Sequence, residues 1–557
     1  MSDSFSATDG ITRQADKYFM LFVVVAGVLA SITGLRNGFA LDDVEVIIRN
    51  PLLHTLASPW RLFQTTYWRP EMGATLYRPL TLFSFAIQWV IGGGSPLPFH
   101  ITSIALYACL SAAVYRFAKL LVSPVAALGA ALIFAVHPVH VEAVANIVGQ
   151  AELWVALVLV MLVTWYVEIR RSGAISTRQV VAIAAGYVVA CCFKEHAIVL
   201  PALLLCAEML LVGDEKTVAN RVRQMMPLLV AMAIAALGFL AARYSVLGNE
   251  LDAPALILRQ QSFGTRFFTM LSVVIEWIRL FFWPMNLSAD YSYPRIRTHY
   301  GFEAEMLPAV AVILGAAWIA WSLRKRASVA AFGIFWIAVT MLIPSNLIIV
   351  TGFVLAERTL MLATVGIALC VGAGMQGILA ATQASPGRAR FLAFAGVGAV
   401  VVVFAGRSMT RSPVWRNNDT LVAQTVLDVP SSHRAHWMYA TYLAENNHQR
   451  EALEEIDLAV ALGERDDVLL LGFAGDMFAR AGRCPRALPL YRRALTLGPN
   501  NIQLRANTSL CLLNIGKLAE AKSIARGGEH PDDVRLQRLA LASDSMQLAR
   551  SRTTALR

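Results

Sequence analysis

The sequence predicts an all-α protein in two parts, a polytopic membrane body followed by a water-exposed helical tail. Three observations carry this. Of its 557 residues 57% are hydrophobic and only 15% charged, against about 25% charged in a soluble domain, so much of the chain belongs in lipid. Apolar runs of the length needed to cross a bilayer recur between residues 18 and 406. After about residue 408 charge returns, spread as on a soluble helical domain.

The first run, Tyr18 to Gly34, follows Arg13 and Lys17 and lacks a small-residue cleavage pattern. It reads as a signal anchor with a cytoplasmic N-terminus. Further runs lie at 100–117, 121–138, 147–167, 178–193, 196–212, 226–246, 305–323, 327–344, 359–380 and 389–406. Two other stretches, 79–93 ending in Gly92-Gly93-Gly94 and 266–284 with Glu276 and Arg279, are read as helices along the membrane surface. That choice puts Arg116/Lys119, Arg170/Arg171/Arg178, Arg221/Arg223, Arg324/Lys325/Arg326 and Arg388/Arg390 on the cytoplasmic side, as the positive-inside rule asks. The expectation is about 11 spans. It gives a body over 1–407 with outer loops at 35–99 and 247–304, a linker at 408–432, and a tail at 433–557 outside the cytoplasm.

The net charge of +11 sits in short clusters beside apolar runs, which serves membrane orientation and does not call for nucleic acid. No Walker loop, dinucleotide fingerprint or nucleophile elbow occurs, which leaves nucleotide hydrolysis unsupported. Of seven cysteines, Cys109, Cys191, Cys192, Cys206 and Cys370 lie in apolar runs and read as small core residues. Cys484 and Cys511 fall on neighbouring helices of the tail, where an oxidising compartment would let them pair.

The tail is periodic. Ala452, Ala487 and Ala521 recur at spacings of 35 and 34, with Asn447, Gly482 and Gly516 in step at a turn and Leu443, Phe478 and Leu512 on the preceding helix. A 34-residue helix–turn–helix unit with small residues at the close-packed positions is the signature of tetratricopeptide repeats (TPR). About three units fit, the last degenerate as a cap would be, and their concave side suits a polypeptide partner.

The topology brings the polar motifs to the outer face: Asp42-Asp43, His137-Pro138-x-His140-x-Glu142, Lys194-Glu195, Asp290-Tyr291 and Glu357-Arg358. Ionisable groups at a membrane boundary are costly unless paired or serving a site. A carboxylate at Asp42 or Asp43 can deprotonate a hydroxyl nucleophile, and adjacent acids raise one another's pKa; a helix cap or solvated loop charge is the plainer reading. Arg78, Arg243, Arg358 and Lys194 are candidates for a phosphate, or for ordinary interfacial ion pairs and snorkelling. A metal needs more ligands than His137, His140 and Glu142 show. No metal is assigned, and a divalent cation is not favoured.

Several strings resemble a known family. Leu41-Asp42-Asp43 with Asn50-Pro51, then Tyr77-Arg78-Pro79-Leu80, resemble the opening of the transmembrane and TPR-containing O-mannosyltransferases. So do Phe134 to Glu152 with its two histidines, Phe193-Lys194-Glu195-His196, Thr265-Arg266, Asp290-Tyr291-Ser292, Pro344-Ser345-Asn346 and Ala356-Glu357-Arg358. The likeness runs in order along almost the whole chain. It implies a GT-C glycosyltransferase body, an acidic motif in the first outer loop and a polyprenyl-phosphate sugar donor; eukaryotic relatives use dolichyl-phosphate mannose and protein Ser/Thr. The chain departs in its few repeats and in Gln150-Ala151-Glu152, where Arg-Ala-Asp is expected. The short tail and Ala/Val/Arg-rich composition point to a bacterial member in the inner membrane, its site and tail on the periplasmic side.

The expected chemistry follows. Asp42, with Asp43 second, serves as general base for an inverting transfer of mannose or another hexose to Ser/Thr of exported proteins. Lys194 and Arg358, then Arg78 and Arg243, meet the phosphate, and His137, His140, Glu142, Glu195, Asp290, Tyr291 and Glu357 line the sugar or acceptor pocket. The TPR groove holds the acceptor polypeptide. A non-catalytic membrane-anchored TPR scaffold accounts for the tail but not for the gathered charges. A transporter would place charges at mid-span.

Overall fold

The computed structural model describes residues 3–69, 76–212, 217–248, 258, 261–292, 294–351, 353–382, 387–463, 467–529 and 532–555. Parts of the expected outer loops (70–75, 249–257, 259–260 and 293) lie outside the described residues. Among the described residues every regular element is helical. The chain divides into two compact units, one of residues 1–289 and 298–421, the other of 290–297 and 422–557.

The first unit holds α1 (Asp3–Ser31), α2 (Pro79–Gly92), α3 (Leu97–Leu121), α4 (Pro124–Ala135), α5 (Val141–Ala145), α6 (Gln150–Ser172) and α7 (Thr177–Phe193). After them come α8 (Leu200–Leu210), α9 (Val218–Leu247), α10 (Phe263–Phe282), α11 (Leu307–Leu323), α12 (Ser328–Thr340), α13 (Met361–Ala381) and α14 (Arg388–Arg411). Its core is a continuous apolar cluster in which Leu110, Leu159, Val163, Tyr166, Leu204, Phe332 and Trp336 are fully buried. Apolar side chains elsewhere remain exposed, among them Leu237 on α9, Trp318 on α11 and Val402 on α14. Helices hydrophobic all round are those of lipid-facing spans.

Among the described residues seven helical stretches are long and apolar enough to cross a bilayer: Asp16–Arg36, Leu97–Leu121, Ile147–Ser172, Val218–Leu247, Ala304–Leu323, Glu357–Ala381 and Arg388–Arg416. An eighth is a pair, Pro124–Ala135 and Pro138–Ala145, bent by 47°. The expected count of about 11 is therefore not reached by length and composition. The hydropathy runs are longer than the helices beneath them. The run at 121–138 breaks before Pro138, which has no N–H to give. Those at 178–193 and 196–212 are separated by the extended residue Lys194, φ −160° and ψ 139°. Thr177–Phe193, Ser328–Thr340 and Pro79–Gly92 are shorter apolar helices; α2, at 14 residues, is about 21 Å long against a hydrocarbon core of about 30 Å. The other expected surface helix, α10, is two-faced: Met270, Val273 and Leu280 are buried while Phe263, Phe267 and Phe282 are exposed.

Residues 408–432, expected as a linker, are largely helical: α14 runs to Arg411, a 3-10 turn spans Ser412–Arg416, and α15 covers Asn418–Asp428. In the second unit the helices pair as α16 (His433–Glu445) with α17 (Gln449–Leu462), α18 (Val468–Arg480) with α19 (Cys484–Leu497), and α20 (Ile502–Asn514) with α21 (Leu518–Arg526). A final helix, α22 (Val534–Ala555), packs against the last pair. The periodic positions have physical reasons. Ala452, Ala487 and Ala521 are fully buried where the helices approach. Asn447, Gly482 and Gly516 all take left-handed φ, +64°, +73° and +76°, a turn conformation that glycine and asparagine adopt most cheaply. Cys484 and Cys511 are disulfide-bonded, joining α19 to α20.

Candidate active site

The site grows from the turn that follows α1. Gly38 N donates to Arg416 O at 2.7 Å. Leu41 then takes a left-handed φ of +48°, a strained state for a residue with a side chain, and its N–H is held by Asn418 Oδ1 at 2.6 Å. Asp43 pins the other side of the turn. Its fully buried carboxylate accepts the N–H groups of Ala40, Ile147 and Val148 at 3.1, 3.4 and 2.9 Å. The last two donors can reach it because Gly149 lets the chain double back, since a Cβ there would stand 2.5 Å from Ala143 O. Burial pushes the Asp43 carboxyl up to about 7, against the pull of those N–H donors. The chain leaves in a single π-helical turn, Val44–Ile48, a form frequent at functional sites.

This anchoring turns the neighbouring Asp42 outward. Its side chain is 35% exposed, with Oδ2 3.7 Å from Arg358 Nη2. Arg358 is held on its other side by Glu142, whose carboxylate accepts Nη1 at 2.9 Å and the backbone N–H at 3.0 Å. Glu357 beside it accepts Ser288 N at 2.7 Å. Two more pairs complete the group. Buried Lys194 pairs with Glu152, whose other oxygen lies 3.4 Å from His196 Nδ1. Arg78 grips Glu195 with a two-pronged fork, Nε to Oε2 at 2.9 Å and Nη2 to Oε1, and its guanidinium lies 5.0 Å from the centre of the Tyr67 ring. Burial holds the Lys194 ammonium below its usual range, partly restored by Glu152. The Glu195 carboxyl, raised by burial, is held well down by Arg78.

His137 and His140 stand behind this group, 2% and 1% exposed. His137 Nδ1 accepts Val139 N at 3.3 Å, so Nε2 carries the proton and donates to Phe281 O at 3.0 Å. His140 Nε2 meets Thr364 Oγ1 at 2.7 Å and Nδ1 meets the Tyr107 hydroxyl at 2.8 Å. Both rings therefore spend their nitrogens on protein groups. They shape the bend that carries Glu142 and offer no free ligand atom.

Of the residues singled out from the sequence, Asp42, Asp43, Arg78, Glu142, Lys194, Glu195 and Arg358 come together, with Glu357 next in chain. Arg243 lies partly buried near the end of α9. Asp290 and Tyr291 belong to the other compact unit. There Asp290 accepts hydroxyls of Ser292 and Ser432, and buried Tyr291 has the Arg295 guanidinium 4.4 Å from its ring centre. Tyr67, Glu152 and His196 were not assigned roles from the sequence. Glu152 carried a usable signal, an acid at the head of an apolar run. Tyr67 sits in an irregular loop and carried none.

Metal ligation has one geometric candidate among the described residues, His299 with Glu303 and Glu305. Its ring nitrogens already face one carboxylate each, at 2.9 and 3.1 Å. That is an imidazole bridging two acids.

What the site can do is bounded by these groups: a half-buried carboxylate beside Arg358, in a cluster with the paired cations Lys194 and Arg78, on a scaffold of apolar helices. No protein-family model matches the chain. Individual proteins do. The chain is 24% identical to protein O-mannosyl-transferase TMTC3 of Mus musculus, over 92% of this chain and 60% of that protein. It is 25% identical to protein O-mannosyl-transferase TMTC4 of Homo sapiens, over 77% of this chain and 65% of that one. This chain is similar to protein O-mannosyl-transferases. With Tmtc2 of Drosophila melanogaster the identity rises to 31%, over 51% of this chain and 32% of that protein. The chain thus spans about 60% of the length of relatives such as mouse TMTC3. The solved structure of yeast Tom70 aligns over 72% of this chain and 90% of its own at a TM-score of 0.22 and 13% identity, too distant to carry an argument.

Proposed function

We propose that the chain is a GT-C-type membrane glycosyltransferase that moves mannose, or another hexose, from a polyprenyl-phosphate carrier to Ser/Thr hydroxyls of exported proteins. The observation that carries this reading is the division of labour between the two aspartates, one buried under three N–H donors and the other half-buried and accessible beside Arg358. The similarity to named O-mannosyl-transferases supports the sugar and the protein acceptor.

In the proposed step Asp42 takes the proton of the acceptor hydroxyl as its oxygen bonds to the anomeric carbon. The bond from that carbon to the phosphate oxygen breaks, and polyprenyl phosphate leaves with the electron pair. Attack opposite the leaving group inverts the anomeric centre. Charge growing on the phosphate is met by Arg358, Lys194 and Arg78, preorganised by Glu142, Glu152 and Glu195. Glu357, next in chain to Arg358, supports this set, Arg243 is kept as a further contact for the donor, and the histidine pair holds the bend that presents Glu142.

The body we assign about 11 spans, counting the short apolar helices as crossings completed by neighbours, with α2 and α10 near the interface. Site and tail share the non-cytoplasmic side of a bacterial inner membrane. The Cys484–Cys511 bond supports an oxidising compartment for the tail. The TPR groove delivers the acceptor polypeptide, and Asp290 and Tyr291, within the tail's own unit, serve that delivery. The test is the intact mass of a Ser/Thr peptide incubated with the purified full chain and polyprenyl-phosphate mannose. A gain of one hexose, absent without the enzyme, is expected; an unchanged mass with every polyprenyl-linked sugar tried would overturn the reading.

A further inference from the structure

Among the groups around Asp42 each cation already has a carboxylate partner: Arg78 with Glu195, Lys194 with Glu152, Arg358 with Glu142. The Tyr67 hydroxyl has no hydrogen-bond partner among the described residues, although Tyr67 is only 2% exposed. Its backbone is fixed, with N donating to Leu76 O at 2.7 Å. The ring is fixed as well, with the Arg78 guanidinium over its face and the Trp68 ring edge-on at 5.9 Å. The little surface the residue keeps includes its oxygen, which leaves the hydroxyl open to an incoming partner. A rigidly held, unpartnered phenol is a donor kept ready for a ligand.

The ligand's chemistry follows from the surroundings. Burial holds the hydroxyl well above its usual pKa, and the charges that act on it are Arg78, Asp42, Arg358 and Asp43. It therefore stays protonated and serves as a donor. It cannot act as a base. The acceptor it suits is an anionic oxygen brought between two arginines, in the site where Asp42 takes the acceptor's proton.

We infer that Tyr67 donates its hydroxyl hydrogen bond to the phosphate of the polyprenyl carrier, between Arg78 and Arg358. The inference rests on the polyprenyl-phosphate reading of the site and adds to it a neutral donor from the first loop. Phe is the informative substitution, because it keeps the ring against Arg78 and Trp68 and removes the oxygen alone.

The test is binding, read independently of turnover. Full-length protein in lipid nanodiscs is titrated with polyprenyl phosphate, and with polyprenol as the arm without a phosphate, followed by native mass spectrometry. Tyr67→Phe is expected to weaken polyprenyl phosphate binding about tenfold or more while leaving polyprenol binding and melting temperature unchanged. Equal phosphate-lipid affinity in the two proteins, loss of both lipids together, or no phosphate-lipid binding by wild type would each overturn the inference. If wild type binds the phosphate lipid but adds no hexose to a peptide, the transfer reading fails and the Tyr67 contact stands. If transfer proceeds and Tyr67→Phe binds normally, the reverse holds.

Discussion

Helix α6 carries an acid or base of a buried charge network near each end, and the two networks differ. Near its start Glu152 joins the group around Asp42. Near its end Arg170 pairs with Glu208 through Nε at 3.1 Å and Nη2 at 2.8 Å, while Tyr166 donates to the same carboxylate at 2.9 Å. The remaining Arg170 donors go to Gln224 Oε1 and Gly173 O. The Arg170 and Glu208 side chains are 5% and 1% exposed, against 18% and 35% for Arg358 and Asp42. The Arg170 group is sealed and satisfied. The Asp42 group keeps a loose 3.7 Å contact and a phenol that has no hydrogen-bond partner among the described residues. Charges buried among apolar helices do not by themselves mark a site; what distinguishes one is incomplete satisfaction together with access.

Substitutions can break or sharpen that contrast. The largest effect is expected from Asp42→Asn, which removes the proposed base while keeping its shape. Transfer per folded molecule should fall by about a thousandfold or more, measured as hexose addition to a peptide, with no change in abundance. Glu208→Gln should do the opposite. It leaves the Arg170 charge without its counter-ion, and breaking a buried pair costs about 3–5 kcal/mol, read as a lower melting temperature with turnover of the surviving folded protein unaltered. Reduction or Ser replacement of Cys484 and Cys511 acts on the tail alone. For a separation of 27 residues the chain-entropy account gives about 3–4 kcal/mol, seen as earlier unfolding of the repeats in hydrogen exchange on the full chain. Arg358→Lys keeps the charge but loses the fork, and should lower kcat/KM by about ten- to a hundredfold.

The smallest signal is in pH. The Asp43 carboxyl sits at about 7, above its ordinary 3.8. A raised folded-state value favours the protonated form, so its contribution to stability is complete below about 4 and lost as pH rises towards 7. Between those values melting temperature should decline with pH, and Asp43→Asn should flatten that segment.

Local rules made some of this legible in the sequence. The repeats announce themselves because each contact lies within one or two units, and the left-handed turns at Asn447, Gly482 and Gly516 repeat in step. The ionisable members of the site stand out against apolar neighbours. Long-range pairing was not legible. Glu152 meets Lys194 across 42 residues and Arg358 meets Glu142 across 216, distances no periodicity encodes. Asp290 falls in a loop of the body by sequence, yet its hydroxyl partner is Ser432, 142 residues on. Helix lengths are hidden for a simpler reason: hydropathy continues through Pro138 and across Lys194, where the helical hydrogen bonds stop.

One assay addresses both networks together: hexose transfer per folded molecule and melting temperature for wild type, Asp42→Asn and Glu208→Gln, in the same nanodiscs with the same donor. Turnover should collapse only when position 42 changes, and thermal stability should drop only when position 208 changes. Undiminished transfer by Asp42→Asn, or a turnover defect in folded Glu208→Gln as deep as that of the aspartate variant, would contradict the assignment of chemistry to the open network.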